Sequence, residues 1–218
     1  MKARRGVFIT FEGIDGCGKS TQAEFLSTWL AESSVCERVL RTFEPGGWSG
    51  GTLLRRLLLG DLNEAEFLSL APRTELLLFL ADRSGHLDTE ISPALKRGQW
   101  VLCERYTDST LAYQSWGRGI ALEEIQGLLD WCCFPLPDLT ILLDVEVQVA
   151  QSRLEHRGKL DRIEADSCSF MERVRQGYRE LAMRFPERIV VVDAGMEAET
   201  VSECVRGFVS RRFPEAFA

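Results

Sequence analysis

Val7-Phe8-Ile9-Thr10-Phe11-Glu12 runs directly into Gly13-Ile14-Asp15-Gly16-Cys17-Gly18-Lys19-Ser20-Thr21, and this junction decides the fold. The first six residues are an almost unbroken apolar run, as expected of a strand covered on both faces. The next nine fit G-x-x-x-x-G-K-[ST], a loop whose glycines let backbone N–H groups wrap phosphate. Ser20–Glu32 then carries Ala23, Leu26, Trp29 and Leu30 at helical spacing, with Gln22, Glu24 and Ser27 between them. Strand, glycine-rich turn and helix is the context the motif needs, because the helix start adds its positive end to the anion site. Residues Gly13 to Thr21 are therefore the candidate ATP-binding set. Within it Lys19 is suited to the outer phosphates and the Ser20 hydroxyl to Mg²⁺. A dinucleotide fingerprint G-x-G-x-x-G is not met.

Four further apolar runs follow: Val39–Phe43, Trp100–Glu104, Leu139–Asp144 and Ile189–Asp193. Between them lie helix-like stretches at Leu53–Leu59, Pro72–Arg97, Leu122–Cys132, Glu146–Arg157, Phe170–Phe185 and Ala198–Phe208. Strand alternating with helix predicts an α/β fold: a three-layer, doubly wound, five-stranded parallel sheet with ligands at the carboxyl ends of its strands. Neither repeats nor linkers break the pattern, so residues 1–218 read as one domain. The polar stretch Gly158–Ser169 reads as a mobile loop within it.

The 26 Lys and Arg against 33 Asp and Glu give a net charge of −7, the wrong sign for coating nucleic acid or an anionic membrane. Any polyanion site must be local. Only Lys2, Lys19, Lys96 and Lys159 are lysines, so the cationic character rests mainly on arginine forks. Cys17, Cys36, Cys103, Cys132, Cys133, Cys168 and Cys204 are odd in number and show no C-x-x-C pair, which favours reduced thiols in a cytoplasmic protein. Met1–Arg5 lacks a signal-peptide pattern, and apolar runs such as Leu76–Ala81 fall far short of the ~18 residues of a membrane span.

Several motifs narrow the function. No N-K-x-D element is present to read guanine. The phosphate loop has no arginine at its variable positions, so transition-state charge must be neutralised from elsewhere. Asp15 sets a carboxylate inside an anion loop, where a sugar hydroxyl is a more plausible partner than phosphate. At the end of the third strand, Arg105 is suited to clamp an acceptor phosphate and Glu104 to hold Mg²⁺ through water or to position the attacking group. Tyr113 and Gln114 offer stacking and a base-edge hydrogen bond. Glu44-Pro45-Gly46-Gly47 is a turn that exposes a carboxylate beside the same sheet edge. Of Arg55 and Arg56, one is expected to face the acceptor phosphate. Phe79 and Arg83 share one helix face and suit a base. Arg153 and Arg157, an i, i+4 pair, lead into Gly158-Lys159-Leu160-Asp161-Arg162, and the segment of about 153–166 reads as a lid carrying positive charge onto the phosphoryl group.

Taken together, the phosphate loop, Glu44-Pro45-Gly46-Gly47, Phe79-Leu80-Ala81-Asp82-Arg83, Glu104-Arg105-Tyr106, Ala112-Tyr113-Gln114 with Gly117-Arg118-Gly119, Pro137-Asp138 and Leu160-Asp161-Arg162-Ile163-Glu164 resemble the thymidylate kinases. The resemblance implies phosphorylation of dTMP by ATP with Mg²⁺ in a homodimer. It implies that Phe79 stacks on thymine, Arg83 and Gln114 read its edge, Asp15 meets the 3′-hydroxyl, and Arg105 holds the acceptor phosphate. Glu44, Pro45, Arg55, Tyr113 and Asp161 complete the substrate set, and Lys19, Arg105, Arg153 and Arg157 the catalytic one. The sequence departs from the family at Glu104, where Asp is usual, at Ser115 for Gly, at Trp48 for Thr, and at Phe43, where bacterial members usually carry Arg. Arg41, Arg55 and Arg56 are the candidates to replace that cation. Two other readings stay open at this level: a deoxynucleoside kinase, and a nucleotide-switched regulatory ATPase with no acceptor.

Overall fold

A computed structural model describes residues 5–33, 35, 38–60, 70–157, 162–163 and 166–217, with the side chain of Arg157 outside that set. Strands β1 (Phe8–Glu12), β2 (Val39–Phe43), β3 (Trp100–Glu104), β4 (Leu139–Asp144) and β5 (Ile189–Asp193) pair in the order β2-β3-β1-β4-β5. Every pairing is parallel, as the continuous apolar runs predict. Alternate side chains explain why both faces are covered. Ile9, Phe11, Trp100 and Leu102 enter one large apolar cluster, whereas Phe8, Val101 and Cys103 enter a second with Leu87, Ile91, Leu95 and Tyr106. Full burial of each such large side chain stabilises the fold by roughly 1.5–3 kcal/mol. The edge strands have one neighbour only, and there the apolar run does not mean full burial: Phe43 is 42% and Val191 48% exposed.

The connecting helices are α1 (Lys19–Glu32), α2 (Gly51–Leu59), α3 (Pro72–His86), α4 (Ser92–Lys96), α5 (Thr107–Thr110), α6 (Leu122–Cys132), α7 (Val147–Arg157), α8 (Cys168–Arg184) and α9 (Ala198–Arg212). The single helix expected over 72–97 is α3 and α4 joined by a π-helical turn, Leu87–Ile91. Pro93 has no N–H for the regular ladder, and the wider turn absorbs the defect. A second π-helical stretch, Leu111–Gly117, follows α5, so the residues after β3 form a helix rather than a loop. The apolar run Leu76–Ala81 does not form one outward face. Leu76 and Leu80 enter the core, while Leu77 is 56% exposed.

Sheet order places the site. β1 has β3 on one side and β4 on the other, so connections leave it in opposite directions and a crevice opens at its carboxyl end. Gly13, Glu44, Glu104 and Asp144 all lie at or just beyond strand carboxyl ends. Among the described residues no helix is long and apolar enough to cross a membrane, and Cys17, Cys103, Cys132, Cys133, Cys168 and Cys204 are free thiols.

Candidate active site

A cleft of about 1110 Å³ opens over the end of β1. Asp15, Lys19, Ser20, Glu44, Pro45, Arg55, Phe79, Arg83, Glu104, Arg105, Tyr113, Gln114 and Arg153 all contribute to its lining, so residues spread over some 140 positions of sequence meet in one place. A second hollow of about 840 Å³ lies at the opposite ends of β1 and β3, lined by Val7, Gln99, Trp100 and Phe213, away from these groups.

The phosphate loop joins β1 to α1 with the backbone that the motif demands. Gly16 has φ +82°, and a Cβ there would sit 2.3 Å from the Ala150 carbonyl oxygen; Gly13, at φ +134°, would meet the Leu143 carbonyl at 2.5 Å. Only glycine permits both the turn and this approach to β4 and α7. Lys19 Nζ folds back to donate to the carbonyls of Gly13 at 3.1 Å and Ile14 at 2.9 Å. The Ser20 hydroxyl donates to Glu104 Oε2 at 2.6 Å. A hydroxyl and a carboxylate side by side at the mouth of an anion loop form a hard oxygen donor set, which fits Mg²⁺ shared with phosphate oxygens and water. Glu104 and Arg105 are not partners of one another: Glu104 turns to Ser20, Arg105 to Asp15.

Arg105 stands at φ +66°, a left-handed conformation that costs a non-glycine residue about 1–2 kcal/mol. Surrounding bonds hold it there. Its guanidinium donates to Asp15 Oδ1 at 2.7 Å, the Tyr113 hydroxyl at 3.1 Å, the Ser109 hydroxyl at 3.2 Å and the Tyr178 hydroxyl at 3.4 Å. Burial would raise the Asp15 carboxyl, but Arg105 and Lys19 outweigh it and hold the group well below the usual carboxylate range. Asp15 is thus an anion that fixes the loop's cations as well as a candidate for a sugar hydroxyl. Behind Arg105 lies Glu12, fully buried at the end of β1 and part of no sequence motif. It accepts from the Tyr106 backbone N–H at 2.8 Å, the Ser109 hydroxyl at 2.6 Å and the Tyr178 hydroxyl at 3.0 Å.

Glu44 corrects one expectation. The turn does not expose its carboxylate: Glu44 is 5% exposed and accepts from Arg83 Nε at 2.8 Å and pairs with His86 Nδ1 at 3.2 Å. The burial follows from Arg83, which is itself enclosed and also donates to the Thr110 hydroxyl and the Tyr106 carbonyl, both at 2.9 Å. Three of its five donors are committed, leaving two for a ligand. Removing either partner of such a buried pair costs about 3–5 kcal/mol. Trp48 packs where Gly50, Gly51 and Gly85 leave room for its ring, and it donates to Asp82. Of the three arginines named for the cation absent at Phe43, Arg55 on α2 is the one stacked on that ring. Arg55 lies over the Phe43 ring, 5.1 Å from its centre, and donates to the Pro45 carbonyl at 2.7 Å.

From α7, Arg153 reaches both the end of β5 and the phosphate loop: its NH1 donates to the Ala194 carbonyl, just past β5, at 3.0 Å and to the Gly16 carbonyl at 3.5 Å. Arg157 ends α7, but its side chain lies outside the described residues, as do Lys159, Leu160, Asp161 and Glu164. Arg162 lines the same cleft as the phosphate loop, anchored from α2 and α3. Its Nε donates to the Leu58 carbonyl, and its fork pairs with Glu75 on α3. Glu75, a second residue without a sequence signal beyond its place on a helix, also accepts from Gln114 and Arg118. Only three-dimensional convergence reveals Glu12 and Glu75, since each sits in an ordinary apolar element.

A family model described as thymidylate kinase matches residues 11–205. A thymidylate kinase of Alkalilimnicola ehrlichii is 48% identical over 90% of this chain and 89% of its own, and one of Nostoc punctiforme is 46% identical over 92% and 94%. The crystal structure of thymidylate kinase from Ehrlichia chaffeensis superposes with a TM-score of 0.76 at 32% identity, covering 94% of this chain and 99% of that one. The five-stranded parallel sheet, the phosphate loop at its switch point and the match over nearly the whole length agree: the chain belongs to the thymidylate kinase family.

Proposed function

We propose that this protein transfers the γ-phosphoryl group of ATP to dTMP, giving ADP and dTDP. The observation that carries the reading is the cleft itself, in which Lys19, Arg105 and Arg153 line one space together with Phe79, Tyr113 and Gln114. ATP lies with its phosphates on Gly13–Thr21, and dTMP lies across Phe79 with its phosphate at Arg105 and Arg55 near its approach. A phosphate oxygen of dTMP attacks the γ-phosphorus as the bond to the β-bridging oxygen breaks, and the electron pair leaves on ADP. The nucleotide phosphate has its second pKa near 6, so it is already anionic at neutral pH and no base is required. Catalysis then rests on alignment and positive charge. Lys19 and Arg153 meet the charge that develops on the transferring group, with Arg157 as a further lid cation and Asp161 on the substrate side. Ser20 and Glu104 would hold Mg²⁺, which would supply positive charge to offset that of the phosphates.

The cations that line the cleft, Lys19, Arg55, Arg105 and Arg153, favour this reading over a deoxynucleoside kinase, whose neutral hydroxyl acceptor needs a base more than it needs positive charge. The proposal extends to one kinase domain with a lid over about 153–166, a cytoplasmic location, and a homodimer. Outward apolar side chains on α2 and α3, Leu53 and Leu77, support the last of these. The test is a coupled ADP-release assay with MgATP and either dTMP or thymidine as acceptor. Turnover with dTMP at least about a hundredfold above that with thymidine is expected; ready use of thymidine with little use of dTMP would contradict the proposal.

A further inference from the structure

Glu75 lies on α3, one turn before Phe79, and is 1% exposed. Its carboxylate is saturated. Oε1 accepts from Gln114 Nε2 at 3.0 Å and Arg118 Nε at 3.1 Å, while Oε2 accepts from Arg118 NH2 at 3.4 Å and from the Arg162 fork. Four acceptor positions meet four donors, all the capacity a carboxylate has. Burial alone would raise this carboxyl, but Arg118 and Arg162 bring it below the ordinary glutamate value, so it is ionised at neutral pH and can only accept.

That has a consequence for Gln114. An amide facing an obligate acceptor must present its nitrogen, and the half left for a ligand is its carbonyl oxygen. Gln114 lines the cleft beside Phe79, Arg83 and Thr110. A carbonyl in that wall meets a donor on the base favourably and an acceptor unfavourably. Thymine and uracil carry hydrogen on ring N3, whereas cytosine presents a lone pair there. An acceptor facing an acceptor leaves two desolvated groups unpaired, and sites built around one such hydrogen bond discriminate strongly.

Resting on the dTMP kinase reading, we infer that Glu75 is a specificity-setting positioning residue: by engaging the Gln114 amide nitrogen it fixes the Gln114 carbonyl as the acceptor offered to the base, so that the pocket selects pyrimidines with a hydrogen on N3 against cytosine. The same carboxylate holds Arg162, whose backbone N–H donates to the Leu59 carbonyl. Selection of the base and seating of the Arg162 segment thus share one anchor.

The experiment compares kcat/KM for dTMP, dUMP and dCMP on the parent, Glu75→Gln and Glu75→Asp proteins. A glutamine at 75 both donates and accepts, so the Gln114 amide is free to turn. The dTMP to dCMP ratio is expected to fall at least about tenfold in Glu75→Gln, chiefly through KM, with dUMP tracking dTMP. Glu75→Asp keeps an obligate acceptor and is expected to retain the ratio within about threefold even where overall rate declines. Equal loss for all three acceptors in Glu75→Gln, with the ratio unchanged, is what a merely structural role produces and overturns the inference. Should Glu75→Gln lack a cooperative thermal transition, Gln114→Leu takes its place. It removes the carbonyl while leaving Glu75 its arginines, and an unchanged ratio there is equally contrary. A parent that does not use dTMP overturns the proposed function itself; a parent that selects dTMP, with a variant that selects it as well, overturns only the role of Glu75.

Discussion

Glu12 shows how much of this site depends on a residue that never touches the cleft. Arg105 occupies a left-handed backbone conformation, and the next N–H, that of Tyr106, is captured by Glu12 Oε1, while Oε2 collects the Ser109 and Tyr178 hydroxyls that also support the Arg105 guanidinium. The strain at one residue is thus offset by a buried acid at another. Burial, and then the nearby charge of Asp108, push the Glu12 carboxyl from 4.5 to about 6 against the pull of Ser109, Arg105 and Tyr178. Asp108 is itself clamped by Arg188 at 2.6 Å. The folded protein therefore binds the Glu12 proton more tightly than the unfolded chain does. Its contribution to stability is complete below pH 4.5 and is lost as pH rises through about 6. Urea unfolding of the parent and of Glu12→Gln between pH 4.5 and 7 is expected to show the parent losing stability relative to the variant as pH rises across that window. A difference that stays flat or grows in the parent's favour would contradict the assignment. In the sequence Glu12 is only the last residue of a strand, so nothing short of the packed structure marks it.

At the scale of elements, the strands were legible because full coverage on both faces writes itself as an unbroken apolar run, and each observed strand begins within one residue of its run. Helix ends were less so. α9 continues to Arg212, four residues past the expected Phe208, because Val209 still packs in the core. The π-helical turns leave no signal except Pro93 beside the first of them. Among functional groups, Asp15, Lys19, Ser20, Glu104 and Arg105 could be read because the loop motif and the strand ends specify where they go. The burial of Glu44 could not, since it depends on Arg83 from a distant helix. Arg153 and Arg162 differ in what holds them. Arg175 on α8 grips Asp144 Oδ1 at 2.7 Å and Glu146 Oε2 at 2.6 Å, which fixes α8 against the start of α7. With α7 so anchored, Arg153 leans on the phosphate loop, whereas Arg162 leans on α2 and α3. Arg153→Ala is accordingly expected to lower kcat about a hundredfold or more while KM for dTMP changes by less than about threefold. A variant with the parent's kcat would remove Arg153 from the transition state.

For the whole molecule, a net charge of −7 and a phosphate-handling site are compatible because the cations are placed and not numerous. Lys19 is one of four lysines, and Arg105 and Arg153 come from the end of one strand and from the helix after another, brought to the single crevice that the strand order opens. The acidic excess belongs to the rest of the surface, where it does no harm to a local anion site. Family membership, the phosphate loop and the cation placement all lead to transfer between two nucleotides inside that crevice, not to release of phosphate into water. Phosphorus-31 spectra of the protein mixed with MgATP and dTMP test this most directly. The α- and β-phosphate signals of dTDP are predicted to grow in step with those of ADP, with inorganic phosphate at background; growth of inorganic phosphate with the dTMP signal unchanged would contradict the account.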